Sequence, residues 1–268
     1  MTRLPVAAFV ALVIATVGAF FVTQHLKVST PLVQGHPAPV PSTINPLYGG
    51  LCRRRNGKGR LVWVSFRRMR ISFYLQNRSD NVDVFINHNG VNVRQIGRNV
   101  FMRARPPQRH VFSWDGRLAD GSVAPAGTYY VKVVLRQQAR SLVISNSTAA
   151  LPITVETTRP HVRVTGATPA SFASGSGTRV AIRYSGTDRL RPRILIYRLP
   201  PGRAPQLVKS YNATSRAGVS VWDGTLANGQ PAPAGTYLAG VLFTDRACTT
   251  AQSPTSAAAA PQAVITIR

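Results

Sequence analysis

"VFSWDGRLADGSVAPAGTYYV", residues 111–131, is answered downstream by "VSVWDGTLANGQPAPAGTYLA" at 219–239. From Trp114 to Tyr129 and from Trp222 to Tyr237, 12 of 16 aligned positions are identical, and the copies lie 108 residues apart. A match that close at a domain-sized period is an internal repeat, and it organises the chain before any single residue does. A length of 268 residues suits two domains of roughly 100–150 residues each.

Each residue type in the motif has a mechanical reason. Trp114 stands two residues after Phe112, so at a strand period of two both rings face one side, the core. In the second copy Ser220 takes the place of that phenylalanine, so the burial of Trp222 rests on the repeat. Asp115 and Asp223 lead into Gly116 and Gly224, where a carboxylate bonds to backbone N–H groups two residues on and glycine accepts positive φ. Pro125 with Gly127, and Pro233 with Gly235, suit a further turn, Pro presetting φ and Gly supplying the left-handed residue. Tyr129 and Tyr237 then open the next strand as buried rings whose hydroxyls return to the backbone, in the manner of a tyrosine corner. The rival reading of Asp115, Asp120 and Asp223 as calcium ligands is the weaker, because calcium takes six or more oxygens and the second copy has Asn228 at the place of Asp120.

Outward from the motif, short apolar alternations bounded by turn residues recur along both copies. "LVWVSF" (61–66) and "RISFYLQ" (70–76) are strands, and "NVDVFINHNGVNVRQIG" (81–97) is a hairpin turning at Asn89-Gly90. "GTYYVKVVL" (127–135), "SLVI" and "LPITVET" (151–157) close the first copy. The second runs in parallel: "HVRVTGA" (161–167), "TRVAIRYSG" (178–186), a hairpin over 193–211 turning at Pro200-Pro201-Gly202, then "GTYLAGVLFT" (235–244) and "QAVITIR" (262–268), with "CTTAQSPTSAAAAP" as a low-complexity loop. About seven short strands, twice over, describe two β-sandwiches of immunoglobulin type.

The amino terminus has a different character. Residues 5–22, "PVAAFVALVIATVGAFFV", carry no charge, follow Arg3 and precede His25 and Lys27. That length approaches what a bilayer core requires. A cleavable signal peptide is the rival, since Val17-Gly18-Ala19 offers the small residues a signal peptidase accepts, but apolar residues continue through Phe20, Phe21 and Val22, which favours an uncleaved signal anchor. Residues 23–49 hold five prolines and no sustained apolar period, the composition of an extended spacer.

Charge is the outlier of the composition. Thirty-three basic residues, nearly all arginine, stand against eight acidic ones, for a net charge of +25 and a pI near 11.7. Such a surface attracts polyanions: lipid headgroups, wall polymers or nucleic acid, the last only inside a cell. The densest run is Arg53, Arg54, Arg55, Lys58, Arg60, Arg67, Arg68 and Arg70, with Trp63 and Phe66 between, and it is the candidate anion-binding surface. The alternative is a solvated arginine-rich face with no dedicated partner.

Chemistry finds little footing. Glu156 is the single glutamate among seven aspartates, the five histidines are scattered, and no zinc-protease, nucleophile-elbow, phosphate-loop or dinucleotide motif stands in context. The chain reads as no enzyme, with no catalytic, cofactor or metal residues. Cys52 and Cys248 lack metal-ligand spacing and read as two independent thiols, pairing only if their Cα atoms come within about 7 Å.

The two motif copies, with the hairpins "VDVFINHNGVNVRQIG" and "ILIYRLPPGRAPQLVKSY" ahead of them, resemble the strand-loop-strand signature of the Ig-like domain first described in the flagellar hook-capping protein FlgD. The resemblance spans roughly residues 70–268. It implies β-sandwiches, a bacterial source and an extracytoplasmic place, and it carries over no catalytic residues. Hook-capping proteins have a hook-engaging region where this chain has its apolar segment and spacer, so what the resemblance transfers is the module.

Together these readings give an all-β fold of two tandem immunoglobulin-like sandwiches behind one transmembrane helix and a Pro-rich stalk. The expected division is 1–25 signal anchor, 26–58 linker, 59–158 first domain and 159–268 second domain. The expected role is a structural, adhesive or protein-binding module at the bacterial cell envelope, single-pass in the cell membrane through 5–22 with its bulk extracytoplasmic, or secreted if cleaved. The expected partners are an envelope protein or an anionic polymer, and no nucleic acid. Two alternatives stand beside it: electrostatic binding of anionic polymer or lipid through 53–70, and a flagellar or secretion accessory role.

Overall fold

The computed structural model describes residues 3–29, 32–35, 37–146, 149–186, 190–214, 218–254 and 256–268, and within the amino-terminal helix the side chains of 8–21. That helix, α1 (Arg3–Ser29), is followed by strands almost throughout. Every described side chain of α1 is exposed. The expected transmembrane signal anchor is overturned: among the described residues no helix is long and apolar enough to cross a membrane. Arg3, residues 5–7, Val22, His25 and Lys27 lie outside the described side chains.

The first repeat supplies β1 (Thr43–Ile44), β2 (Leu51–Arg55), β3 (Leu61–Ser65), β4 (Met69–Phe73), β5 (Asp80–His88), β6 (Val91–Met102), β7 (His110–Trp114), β8 (Gly127–Leu135), β9 (Arg140–Val143) and β10 (Ile153–Val155). The second supplies β11 (Arg163–Thr168), β12 (Ser171–Phe172), β13 (Val180–Ser185), β14 (Arg193–Arg198), β15 (Gln206–Asn212), β16 (Val219–Trp222), β17 (Gly235–Thr244), β18 (Thr250–Ser253) and β19 (Val264–Ile267), the last preceded by a single 3₁₀ turn at Pro261–Ala263.

The repeat in sequence is a repeat in topology. One sheet has the order β1-β10-β8-β5-β6 with β9 on β8, and another has β12-β19-β17-β14-β15 with β18 on β17. Both begin with a two-residue parallel pairing, Thr43 with Thr154 and Ser171 with Thr266. A separate sheet pairs β4 with β7 in the first repeat, and β11-β13-β16 form the separate sheet of the second. Gln34 bridges Tyr74 in the first as Val164 pairs with Tyr184 in the second.

Contacts gather the chain into two compact units, one of residues 1–39, 70–113 and 130–151, the other of 40–69, 114–129 and 152–268. In the first, β5 pairs with β6 through the Asn89-Gly90 turn, whose residues have φ of 49° and 85°, as the sequence leads one to expect of a two-residue hairpin. Phe73 stacks on Phe112 at 5.2 Å. In the second, both layers of the second repeat close on one core that includes Val164, Ile182, Ile194, Trp222, Tyr237 and Ile265.

Three stretches differ from expectation. The Pro-rich spacer over 23–49 carries the end of α1, the Gln34 bridge and β1, because Ile44 and Asn45, apolar and turn-forming residues among prolines, are fully buried. The low-complexity loop after Cys248 contains β18, which pairs Thr250–Ser253 with β17. Cys52 and Cys248 are joined in a disulfide, with Cα atoms 6.2 Å apart across a sequence separation of 196. The sequence favours two independent thiols over this pairing, because the β2–β3 hairpin folds back onto residues 245–249, a long-range approach that spacing does not encode.

Candidate functional site

The most distinctive side chains of the chain, those of the repeated motif, spend their polar groups on their own loops. Trp114 and Trp222 are buried at 1% and 0% exposure, and their Nε1–H groups donate to the carbonyls of Arg117 and Thr225 at 2.8 and 2.9 Å. Their rings tilt against Tyr129 and Tyr237 at 5.1 and 5.5 Å. The tyrosine hydroxyls donate to the carbonyls of Pro125 and Pro233 at 2.9 and 2.7 Å, and burial raises both phenol pKa values. Asp115 and Asp223 accept from the N–H two residues on, at Arg117 and Thr225. Ala124 and Ala232 N–H close the turns onto Gly116 and Gly224 at 2.9 Å in each copy. Gly127 and Gly235 begin β8 and β17.

Asp120, the third calcium candidate, accepts from both the N–H and the hydroxyl of Ser122, which lower its pKa, and Asn228 plays the same part for Gln230 N–H. Asp223 differs from Asp115 in one respect. It pairs with Lys209 Nζ at 2.6 Å, and that ammonium also meets Thr225 Oγ1. Burial alone would raise the Asp223 pKa, but Lys209 and Thr225 together bring it down to about 2. Two acidic residues outside the motif, Asp80 and Asp83, are held as well. Asp80, fully buried, accepts from Gln137 and Gln138 N–H at 2.9 and 3.1 Å. Asp83 accepts from Asn99 N–H and pairs with Arg136 Nε at 2.6 Å, which outweigh the effect of burial and lower its pKa.

The basic run forms the feature that the second repeat lacks. Twenty-four residues separate β1 from β4, whereas seven separate β12 from β13. The additional residues make the β2–β3 hairpin, in which Arg53 faces Trp63, Arg54 faces Val62 and Arg55 faces Leu61. Its tip, Asn56 to Arg60, is closed by Asn56 Oδ1, which accepts from Lys58 and Arg60 N–H at 3.0 Å, while Arg55 Nη1 donates to Gly59 O at 2.8 Å. All eight basic residues of 53–70 are exposed. The hairpin gathers Arg53, Arg54, Arg55, Lys58 and Arg60. Arg67 and Arg68 follow at its exit, with Arg67 Nε donating to Gly49 O, and Arg70 lies on β4.

Strand alternation gives this hairpin two unlike faces. Cys52, Val64 and Phe66 pack on Ala247 and Cys248. A Cβ on Gly50 would stand 2.0 Å from Cys248 O, so the approach admits only glycine there. Between this face and residues 40–43 lies a cleft of about 450 Å³ lined in part by Val40, Val62, Phe66, Arg54, Arg55 and Arg246. The opposite face turns outward with Leu51, Trp63 and Leu61 exposed at 60%, 62% and 56%, beside Arg53 and Arg55. The Arg53 guanidinium sits 5.4 Å from the Trp63 ring centroid.

Sequence reasoning missed the residue that fixes the hairpin's base. Asn45, fully buried, accepts from Leu47 and Tyr48 N–H and donates to Thr158 O at 2.8 Å, while its own N–H donates to Phe66 O. The Asn-Pro pair at 45–46 is the turn-initiating signal that could have found it.

A comparison with curated proteins finds no match. Among solved structures the alignments are loose. A marsupial T cell receptor aligns with TM-score 0.33 at 10% identity over 74% of this chain and 68% of that one, and another alignment to a marsupial T cell receptor has TM-score 0.24 at 12% identity, over 75% and 69%. Dimeric latent PorU from Porphyromonas gingivalis aligns with TM-score 0.29 at 10% identity over 83% of this chain, which spans 20% of that protein. Residues 63–139, which hold the first copy of the Trp-Asp-Gly motif, match the FlgD Ig-like domain family.

Proposed function

We propose that the chain is a non-enzymatic, extracytoplasmic module that binds or spaces proteins at a bacterial cell envelope through its Ig-like sandwiches. The observation that carries this reading is the internal use of the motif: in both copies the Trp, Asp and Tyr polar groups bond to backbone within their own loop. Residues consumed in that way serve rigidity, and rigid sandwiches present their loops and edges to partners. The Cys52–Cys248 disulfide supports the compartment, since such bonds persist where the environment oxidises.

The test is photo-cross-linking of the full chain in intact envelopes, with the reactive group placed in turn at the loop tips near Asn89, Gly121 and Gly229. A discrete adduct from one tip and none from the others is the expected result, and an absence of adducts from every tip would remove the binding role. Alkylation of intact cells before and after reduction reads the compartment: both cysteines should label only after reduction.

A second reading is favoured by one observation. The segment 45–70 carries eight exposed basic residues and no acidic one, Asp80 being the first acidic residue of the chain. It is a surface for anionic polymer or lipid, and its affinity should fall steeply with salt.

A further inference from the structure

We propose that the outward face of the β2–β3 hairpin docks on an anionic lipid bilayer, with Trp63, Leu51 and Leu61 entering the interface while Arg53 and Arg55 meet lipid phosphates. This deepens the anion-binding reading and rests on it. A soluble polyanion would be served by the arginines alone and would leave two leucines and a tryptophan in water. Here they share one face with the arginines: Arg53 lies directly opposite Trp63, Arg55 opposite Leu61, and Leu51 falls on the same side by alternation. All three apolar side chains are more than half exposed, though the other face of the same hairpin is packed on Ala247 and Cys248. An apolar patch rimmed by cations, on a hairpin without a single acidic residue, complements a surface that is negative at the headgroups and apolar beneath. Tryptophan is suited to that boundary, where an amphipathic ring lies at headgroup level.

The hairpin is also held so that it can present this face. The disulfide and the Asn45 hydrogen bonds fix its base, and the Asn56 bonds fix its tip. An arm ordered beforehand loses little conformational freedom on docking.

The chain carries its own reporter. Trp114 and Trp222 are buried at 1% and 0% exposure, Trp63 is 62% exposed, and α1 holds no tryptophan, so a change in emission on adding vesicles reports the hairpin. The full chain is titrated with phosphatidylcholine vesicles, with the same vesicles doped with phosphatidylglycerol, and with soluble polyphosphate. A blue shift and quenching by lipid-borne quencher with the doped vesicles, absent with phosphatidylcholine, is expected. Trp63→Ser should weaken binding roughly tenfold or more, and Arg53→Gln or Arg55→Gln about fivefold each. Both positions are exposed, and an unchanged thermal transition in each variant checks that the fold survives. Binding of polyphosphate and doped vesicles with Trp63 remaining in water overturns this inference and leaves the electrostatic reading. No binding to either overturns both.

Discussion

At the scale of single residues, the two copies of the motif serve as controls for each other. Gly116 has φ of 74°, and a Cβ there would lie 2.2 Å from Pro46 Cγ, so Gly116→Ala combines backbone strain with a clash. A loss of about 1–3 kcal/mol in denaturant unfolding is the expected outcome. Tyr237→Phe removes the bond to Pro233 O while keeping the ring, and should cost about 1 kcal/mol. Asp223 makes a prediction in pH. Its pKa is about 2 in the fold against an ordinary 3.8, so its contribution is present above pH 4 and disappears as pH falls toward 2. The shift is worth at most ~2.4 kcal/mol, and exposure of the carboxylate reduces this to about 1 kcal/mol. Lys209→Met should flatten that acid limb, as read by thermal melts at stepped pH. The core role of Trp114 was legible because Phe112 alternates with it. That of Trp222 was not legible on its own terms, since Ser220 fills the equivalent place and is buried as a polar residue. Only the repeat placed it.

At the scale of elements, the strands with strong alternation were readable and those held by distant partners were not. β5, β6, β8, β14 and β17 stood out from their apolar periods, and the Asn-Gly turn fixed one register in advance. β1 and β12 are two residues each, β18 lies in an alanine-rich stretch, and none of them has a period to detect. The β2–β3 hairpin was half seen: its charges were conspicuous, but their organisation into two faces depends on Cys52 meeting Cys248. A two-stranded hairpin is marginal by itself, and this one leans on a cluster of five residues, two of them the bonded cysteines. Cys52→Ser paired with Cys248→Ser should therefore raise amide exchange across 51–65 at least tenfold, with exchange in β5, β8 and β17 unchanged. Faster exchange everywhere would instead mean that the disulfide supports the fold at large.

At the scale of the whole molecule, the charge of +25 was read from composition, and its placement needed the structure. Composition also suggested a membrane span in the apolar amino terminus, an expectation the described part of α1 does not meet. Because every described side chain of α1 is exposed, deletion of residues 1–29 should remove nearly all helical signal from far-ultraviolet circular dichroism and shift the thermal midpoint of the β structure by no more than about 2 °C.

The unequal connections offer a route to a minimal protein. The second repeat closes its sandwich with the seven residues 173–179 where the first uses twenty-four. That shorter bridge is a ready-made splice: exchanging it for 45–68, with Cys248→Ser, would yield a hairpin-free chassis encoded by the molecule's own sequence, against which any activity of the arm can be subtracted.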